Sequence, residues 1–259
     1  MILSNNPREN LKQFDVLILA AGLGTRLRPL TIETPKPLIR LGKRTLLEYH
    51  LERLSKLGVS RVIINLHYLP DKIRQFVGDG SKWKMEVCFS EEPIILDTGG
   101  AVKNIEPLLK HGSLLIINAD SFFSERLDLA AIVIAHQSSS EERDVTMLLT
   151  KSADAKKYGE FGIDSHGKIV MFLGKDYFQD EVQRGLMYVG VQMLNRSVIE
   201  NFMQRRGTIF SLTKDTLKLL LEQGRVVKSV LYDGYFSDVG TPERLAESEI
   251  FVTQSYINS

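Results

Sequence analysis

VLILAAGLGTRLRPLTIETPKPL, residues 16–38, sets a continuous apolar run against two glycines, two arginines and a lysine. The run VLILA (16–20) predicts a buried strand. A strand that empties into glycines followed by cations is an arrangement for holding an anion, a polyphosphate above all. Gly22 and Gly24 let the backbone approach a ligand with amide hydrogens free to face phosphate oxygens, and Arg26 adds a charged fork suited to bridging phosphates. Of two common phosphate loops, the first fits weakly and the second not at all. The dinucleotide fingerprint needs a third glycine where this chain has Leu27, and a P-loop needs Gly-Lys-Ser/Thr, which does not follow.

Outward from this loop the chain alternates strand and helix. TLLEYHLERLSKLG (45–58) repeats its apolar residues at helical spacing and stops at Gly58. RVIIN (61–65) reads as a strand, DKIRQFVGDG (71–80) as a short helix and MEVCFS (85–90) as a strand. GGAVKNIEPLLKHG (99–112) reads as a helix, and SLLIINAD (113–120) as a buried strand ending at Asp120. Strand, helix, strand at this spacing predicts an α/β fold with a mostly parallel sheet covered on both faces, whose ligands gather at the carboxyl ends of the strands. Beyond residue 140 the strand-like runs DVTMLLT, GEFGID, KIVMFL and GLMYVGVQML come close together, with a turn at DSHG (164–167), so a smaller antiparallel extension is expected. Helices around SVIENFMQR and SLTKDTLKLLLEQG, strands VVKSVLY and YFSDVG, and a last helix from TPERLAESEIF complete the reading.

Composition narrows the function classes. The chain has 259 residues, 43% of them hydrophobic and 25% charged, enough for a full core. Lys plus Arg number 33 against 32 Asp plus Glu, a net charge of +1, so no global field invites nucleic acid or an anionic membrane, and any anion site is local. The lone Cys88, in the alternating run KMEVCF, has no partner in the chain and reads as structural. The polar N-terminus lacks a leader's apolar core, and no apolar run reaches the roughly 18 residues of a membrane span. A cytoplasmic protein is expected, as a monomer or small homo-oligomer, with residues 1–14 as an extension and 15–259 as one domain. The five histidines, His50, His67, His111, His136 and His166, show no metal spacing and are expected on the surface or in satisfied polar roles. SSSEERD from Ser138 reads as a solvated loop, and Arg205 with Arg206 as a charged helix end.

LAAGLGTRLRPLT followed by TPKPL, DTGG, NAD and SDVGTPERL, in that order across nearly the whole chain, resembles the sugar-1-phosphate nucleotidyltransferases. Compact length and the DTGG segment look most like N-acetylmuramate-1-phosphate uridylyltransferases, with mannose- or heptose-1-phosphate guanylyltransferases close behind. The resemblance implies a nucleotide-diphospho-sugar transferase sandwich and transfer of a nucleotidyl group from a nucleoside triphosphate to a sugar 1-phosphate. UTP with N-acetylmuramate 1-phosphate or a related hexose 1-phosphate is the first expectation, and GTP with mannose or heptose 1-phosphate the second. It also implies Arg26, Lys36 and Asp120 at the reacting centre and Mg²⁺ on Asp120 and Asp238. The nucleotide falls to Ala20, Ala21, Gly22, Gly24, Thr25, Arg26, Asp97, Thr98, Gly99 and Gly100, and the sugar phosphate to Lys36, Gly159, Glu160, Tyr188 and Gly190.

Two departures stand out: Leu23 where some relatives carry a basic residue, and Ala119 where the commoner residue before the acid is glycine. With the chain stopping near residue 259, the C-terminal β-helix of longer relatives and its acyltransferase activity are not expected. Two alternatives from other classes stay open, a catalytically silent nucleotide-sugar sensor and a cytidylyltransferase acting on a phosphorylated alcohol such as phosphocholine.

Overall fold

The computed structural model describes residues 14–137, 144–203 and 208–257. All of the N-terminal extension but Phe14, most of the SSSEERD loop, and Arg205 with Arg206 lie outside the described residues. Strand β1 (Asp15–Leu19) leads through the glycine loop to a hairpin, β2 (Arg40–Leu41) and β3 (Arg44–Thr45), and into helix α1 (Leu46–Lys56). The Thr45 hydroxyl caps α1 by accepting from the Glu48 amide at 3.1 Å. Then follow β4 (Arg61–Leu66), α2 (Pro70–Val77), β5 (Glu86–Glu91), α3 (Asp97–Asn104) and β6 (Ser113–Asn118). β1 lies between β4 and β6, parallel to both, with Leu17 opposite Ile63 and Ile116, and β5 pairs parallel to β4 on the outer side.

These strands are apolar end to end because both faces are covered. Val16 and Ile18 pack with Leu47, Leu51 and Leu54 of α1, while Leu17, pointing the other way, packs with Val102 of α3. A third cluster joins Leu27 to Leu41, Phe122 and Val239. Leu27, which breaks the dinucleotide fingerprint, is thus a core residue, 1% exposed.

β7 (Ser121–Phe123) and α4 (Leu129–Gln137) come next. Neither was predicted: LAAIVIAHQ is apolar almost throughout and carries no helical period. The second half contains β8 (Val145–Lys151), α5 (Ala155–Tyr158), β9 (Phe161–Ile163), β10 (Ile169–Phe172), β11 (Lys175–Asp176) and β12 (Gln183–Asn195). α6 (Arg196–Val198) runs into a π-helical turn at Ile199–Met203, and a second π-helical turn, Leu212–Leu217, runs into α7 (Lys218–Glu222). β13 (Val227–Leu231), β14 (Phe236–Asp238) and α8 (Pro242–Ile257) close the order.

The long β12 joins the two halves of the sheet. Its C-terminal part lies antiparallel to β6, with Val191 opposite Ile117, and its N-terminal part reaches β9, where the antiparallel extension of β10 and β11 begins. β8 runs along its other side and carries β13 in parallel. The register shifts between Tyr188 and Gln192. There Gly190 has φ +86°, and a Cβ on it would lie 2.2 Å from Ser121 Oγ. Only glycine lets β12 pass this close to the turn after β6. β7 and β14 pair outside the main sheet, setting Asp238 opposite Ser121.

Candidate active site

The glycine loop is built against the Lys36 turn. Gly24 has φ +62°, and a Cβ on it would lie 3.0 Å from Thr31 Cγ2 and 3.1 Å from Lys36 Cβ. The Thr31 hydroxyl donates to the Gly24 carbonyl at 2.7 Å, tying the two segments together. Pro35 leads Lys36 into a single 3-10 turn at Lys36–Leu38. Lys36 is buried, and its Nζ meets Asp120 Oδ2 at 2.5 Å. Asp120 sits just past the carboxyl end of β6, and its carbonyl accepts from the Val239 amide at 2.9 Å, which draws the β14 end and Asp238 alongside.

Three cavities adjoin here, all with Asn118 on the wall. The first, about 410 Å³, has Ala20, Ala21, Gly22, Lys36, Asp97, Thr98 and Asp120 on its wall. The second, about 200 Å³, is lined by Asp120, Tyr188, Gly190 and Asp238, and the third, about 310 Å³, by Asp97, Thr98, Gly159 and Tyr188. Residues predicted for the nucleotide, the reacting centre and the sugar thus converge from β1, the Lys36 turn, β6, α3 and β12.

Others stand apart from these walls. Gly99 and Gly100 lie one layer behind: their amides donate to the Phe210 carbonyl at 2.9 and 3.2 Å, and a Cβ on Gly99 would lie 2.4 Å from the Phe210 ring. Gly24 and Thr25 belong to the loop's turn, and the Arg26 guanidinium rests against Gly240, 2.8 Å from where a Cβ would project. Glu160 accepts from the Gly185 amide at 3.0 Å and so braces the start of β12. Asp97 takes the left-handed φ of +58°, unusual for a residue with a side chain and of the kind found at binding sites.

Sequence reasoning missed several wall residues. Asn65, Glu92 and Asn118 line the first cavity, and Arg244 with Tyr158 lines the second. Asn65 and Asn118 sit at strand carboxyl ends, a signal that was available. Arg244 forms an ion pair with Asp238 and donates to the Tyr158 hydroxyl at 2.6 Å. The Tyr188 hydroxyl is buried with no hydrogen-bond partner among the described residues, and burial, with the Asp120 charge adding to it, pushes its phenol pKa up.

His50 departs from its expected polar role. It is buried on α1 behind Asp120, edge-on to Phe123, and its Nε2 has no partner among the described residues. Burial, and next the nearby Arg53 guanidinium, pulls its pKa from 6.5 down to about 3. The folded state therefore binds fewer protons than the unfolded chain between pH 3 and 6.5. This contribution to stability is complete above the upper value and is lost as pH falls, by at most about 1.4 kcal/mol per pH unit. The drop in Tm from pH 7 to pH 5, measured calorimetrically without metal, is expected to be smaller in His50→Leu than in the parent. Equal drops would remove His50 from the acid sensitivity.

Residues 15–255 match the family model described as nucleotidyl transferase. The chain belongs to that family. Relatives of this nucleotidyl transferase include the mannose-1-phosphate guanylyltransferase of Mycobacterium tuberculosis, 29% identical over 89% of this chain and 62% of the relative. The N-acetylmuramate α-1-phosphate uridylyltransferase of Neisseria meningitidis is 30% identical, with 90% of this chain and 96% of the relative covered. The D-glycero-α-D-manno-heptose 1-phosphate guanylyltransferase of Campylobacter jejuni is 27% identical, over 88% and 95%. The chain thus spans less than two thirds of the mycobacterial relative but almost all of the other two. Among solved structures, HddC from Yersinia pseudotuberculosis superimposes with a TM-score of 0.74 at 27% identity, covering 92% of this chain and 99% of that one. The family is one of transferase enzymes, and the sheet architecture is that of the Yersinia structure.

Proposed function

We propose that this nucleotidyl transferase joins a nucleoside triphosphate, held in the first cavity, to a sugar 1-phosphate held in the second and third. The observation that carries this reading is the Lys36–Asp120 contact at 2.5 Å, on the wall where the first cavity gives way to the second. A phosphate oxygen of the sugar 1-phosphate attacks the α-phosphorus, forming one P–O bond. The bond to the β-phosphate breaks, and pyrophosphate leaves from the opposite side. No protein nucleophile is needed, so the chain's task is to align two anions that repel each other and to neutralise charge between them. Lys36 supplies fixed positive charge at that point. Tyr188 offers an unused hydroxyl donor to the sugar phosphate, and Arg244 and Tyr158 form the far wall of the same cavity.

The donors also fit Mg²⁺. Asp120 and Asp238 line one cavity, the Asp120 carbonyl accepting from the amide of Val239, the residue after Asp238, and hard carboxylate oxygens are what this ion takes. Among the described residues no cluster of three or more His, Cys, Asp or Glu side chains could hold a metal, so two carboxylates need substrate phosphates to complete the shell. When bound, the cation supplies further neutralisation of phosphate charge.

Two donor pairs fit the family: UTP with N-acetylmuramate 1-phosphate, to which the resemblance leans, and GTP with mannose or heptose 1-phosphate. Full-length relatives named for each differ little in identity, 30% against 27%. The Yersinia HddC has also been solved with GMP-PN, which weighs for the second pair. A cytoplasmic setting, where nucleoside triphosphates are made, suits either. Pyrophosphate release is the deciding measurement, with each nucleoside triphosphate paired in turn with hexose and heptose 1-phosphates and with phosphocholine. Release with a sugar 1-phosphate is expected. Release with phosphocholine alone would move the chain to the cytidylyltransferases, and none with any pair would leave a silent binding protein.

A further inference from the structure

Arg53 follows His50 by three residues on α1, so the two share the helix face that lies against β7. Its Nη2 donates to the Phe123 and Ser124 carbonyls, at 3.4 and 3.1 Å, where that strand ends. Among the described residues no carboxylate forms an ion pair with it. Burial is the main influence on the guanidinium and pulls its pKa down, with the Glu125 charge working the other way. A partly buried cation answered by neutral carbonyls costs stability, and an apolar side chain would pack a helix against a strand at less cost.

A second anchor stands beside the first. The Tyr232 hydroxyl meets the Ser124 hydroxyl at 2.9 Å and donates to the Tyr235 carbonyl at 2.9 Å, while the Ser124 amide donates to the same carbonyl at 3.0 Å. The end of β7 is thereby tied to the start of β14. Between these ties and the reacting centre lies a ladder of three residue pairs, outside the main sheet: Phe123 with Phe236, Phe122 with Ser237 and Ser121 with Asp238. A two-stranded ribbon so short is marginal by itself. A slip of one residue would turn every side chain of β14 to the opposite face, Asp238 among them.

We infer that Arg53 is a positioning residue for the two carboxylates, an inference that rests on the nucleotidyl-transfer reading. By gripping the last carbonyls of β7 it fixes the register of the ladder, and with it the spacing at which Asp120 and Asp238 share one divalent cation. Arg53 lines none of the three cavities. It acts through the strand.

The test compares the intact parent chain with Arg53→Met and Arg53→Lys. Mn²⁺ binding is followed by electron paramagnetic resonance with nucleotide present, and pyrophosphate release is measured over a range of Mg²⁺. Arg53→Met is expected to bind Mn²⁺ about tenfold more weakly and to need about tenfold more Mg²⁺ for half-maximal turnover, with the nucleotide KM at saturating Mg²⁺ changed by less than about twofold. Arg53→Lys keeps the charge and loses the fork, so a loss of about threefold is expected of it, and it carries the test if the methionine variant is unstable. Parental Mn²⁺ binding and Mg²⁺ demand in the variants, whether or not Tm falls, would make Arg53 a packing residue and overturn the inference while nucleotidyl transfer stands. A parent that turns over without binding Mn²⁺ removes the shared cation and the role of Arg53 with it. A parent that releases no pyrophosphate with any substrate pair removes the transfer reading as well.

Discussion

Asp120→Asn is expected to lower kcat by about a thousandfold, some 4 kcal/mol of transition-state stabilisation, while Tm stays close to the parent value. Asp120 touches Lys36, lines both the first and second cavities and shares a backbone hydrogen bond with the segment carrying Asp238. Asparagine keeps the shape and removes the charge, so the fold keeps its packing while the oxygen donor for Mg²⁺ is weakened. Asp238→Asn is expected to fall in the same direction, and also releases Arg244 from its ion pair. Steady-state pyrophosphate release at saturating Mg²⁺, with Mn²⁺ binding followed by electron paramagnetic resonance in the presence of nucleotide, reads both effects. Near-normal turnover in both variants would sink the assignment of the two carboxylates.

Lys36→Met is expected to produce a loss of about a hundredfold or more in kcat, with a smaller change in the KM for the nucleotide. Its ammonium is buried, is aimed by a proline-led turn and meets the carboxylate at the reacting centre, so its charge acts where charge develops. Arg26 sits differently, exposed and against Gly240. Arg26→Ala is therefore expected to act chiefly on nucleotide binding, raising KM with a lesser effect on kcat. Matching kinetic profiles for Lys36→Met and Arg26→Ala would argue against separate roles for the two cations.

The apolar run of β1, the glycines after it, the helical period of α1 with its stop at Gly58 and the Asp that follows β6 were all legible in the chain, because each depends on local period or on a turn a few residues long. The ordered motifs from the glycine loop to SDVGTPERL identified the family for the same reason: each is a short segment that keeps its chemistry on its own strand end. Tertiary packing decided the rest. Leu27 breaks the glycine pattern because the third core cluster needs a buried apolar residue there. Gly99 and Gly100 stand where the segment carrying Phe210, about 110 positions further on, crosses α3, and no local pattern announces a contact at that separation. The pairing of β7 with β14, which brings Asp238 beside Asp120, joins segments equally distant. Glu92, on which the sequence offered no reading, is held by the Asn65 side chain and the Leu96 amide. Strands and turns follow from short-range backbone preference, whereas burial and partnership of a single polar side chain depend on what the rest of the chain packs against it.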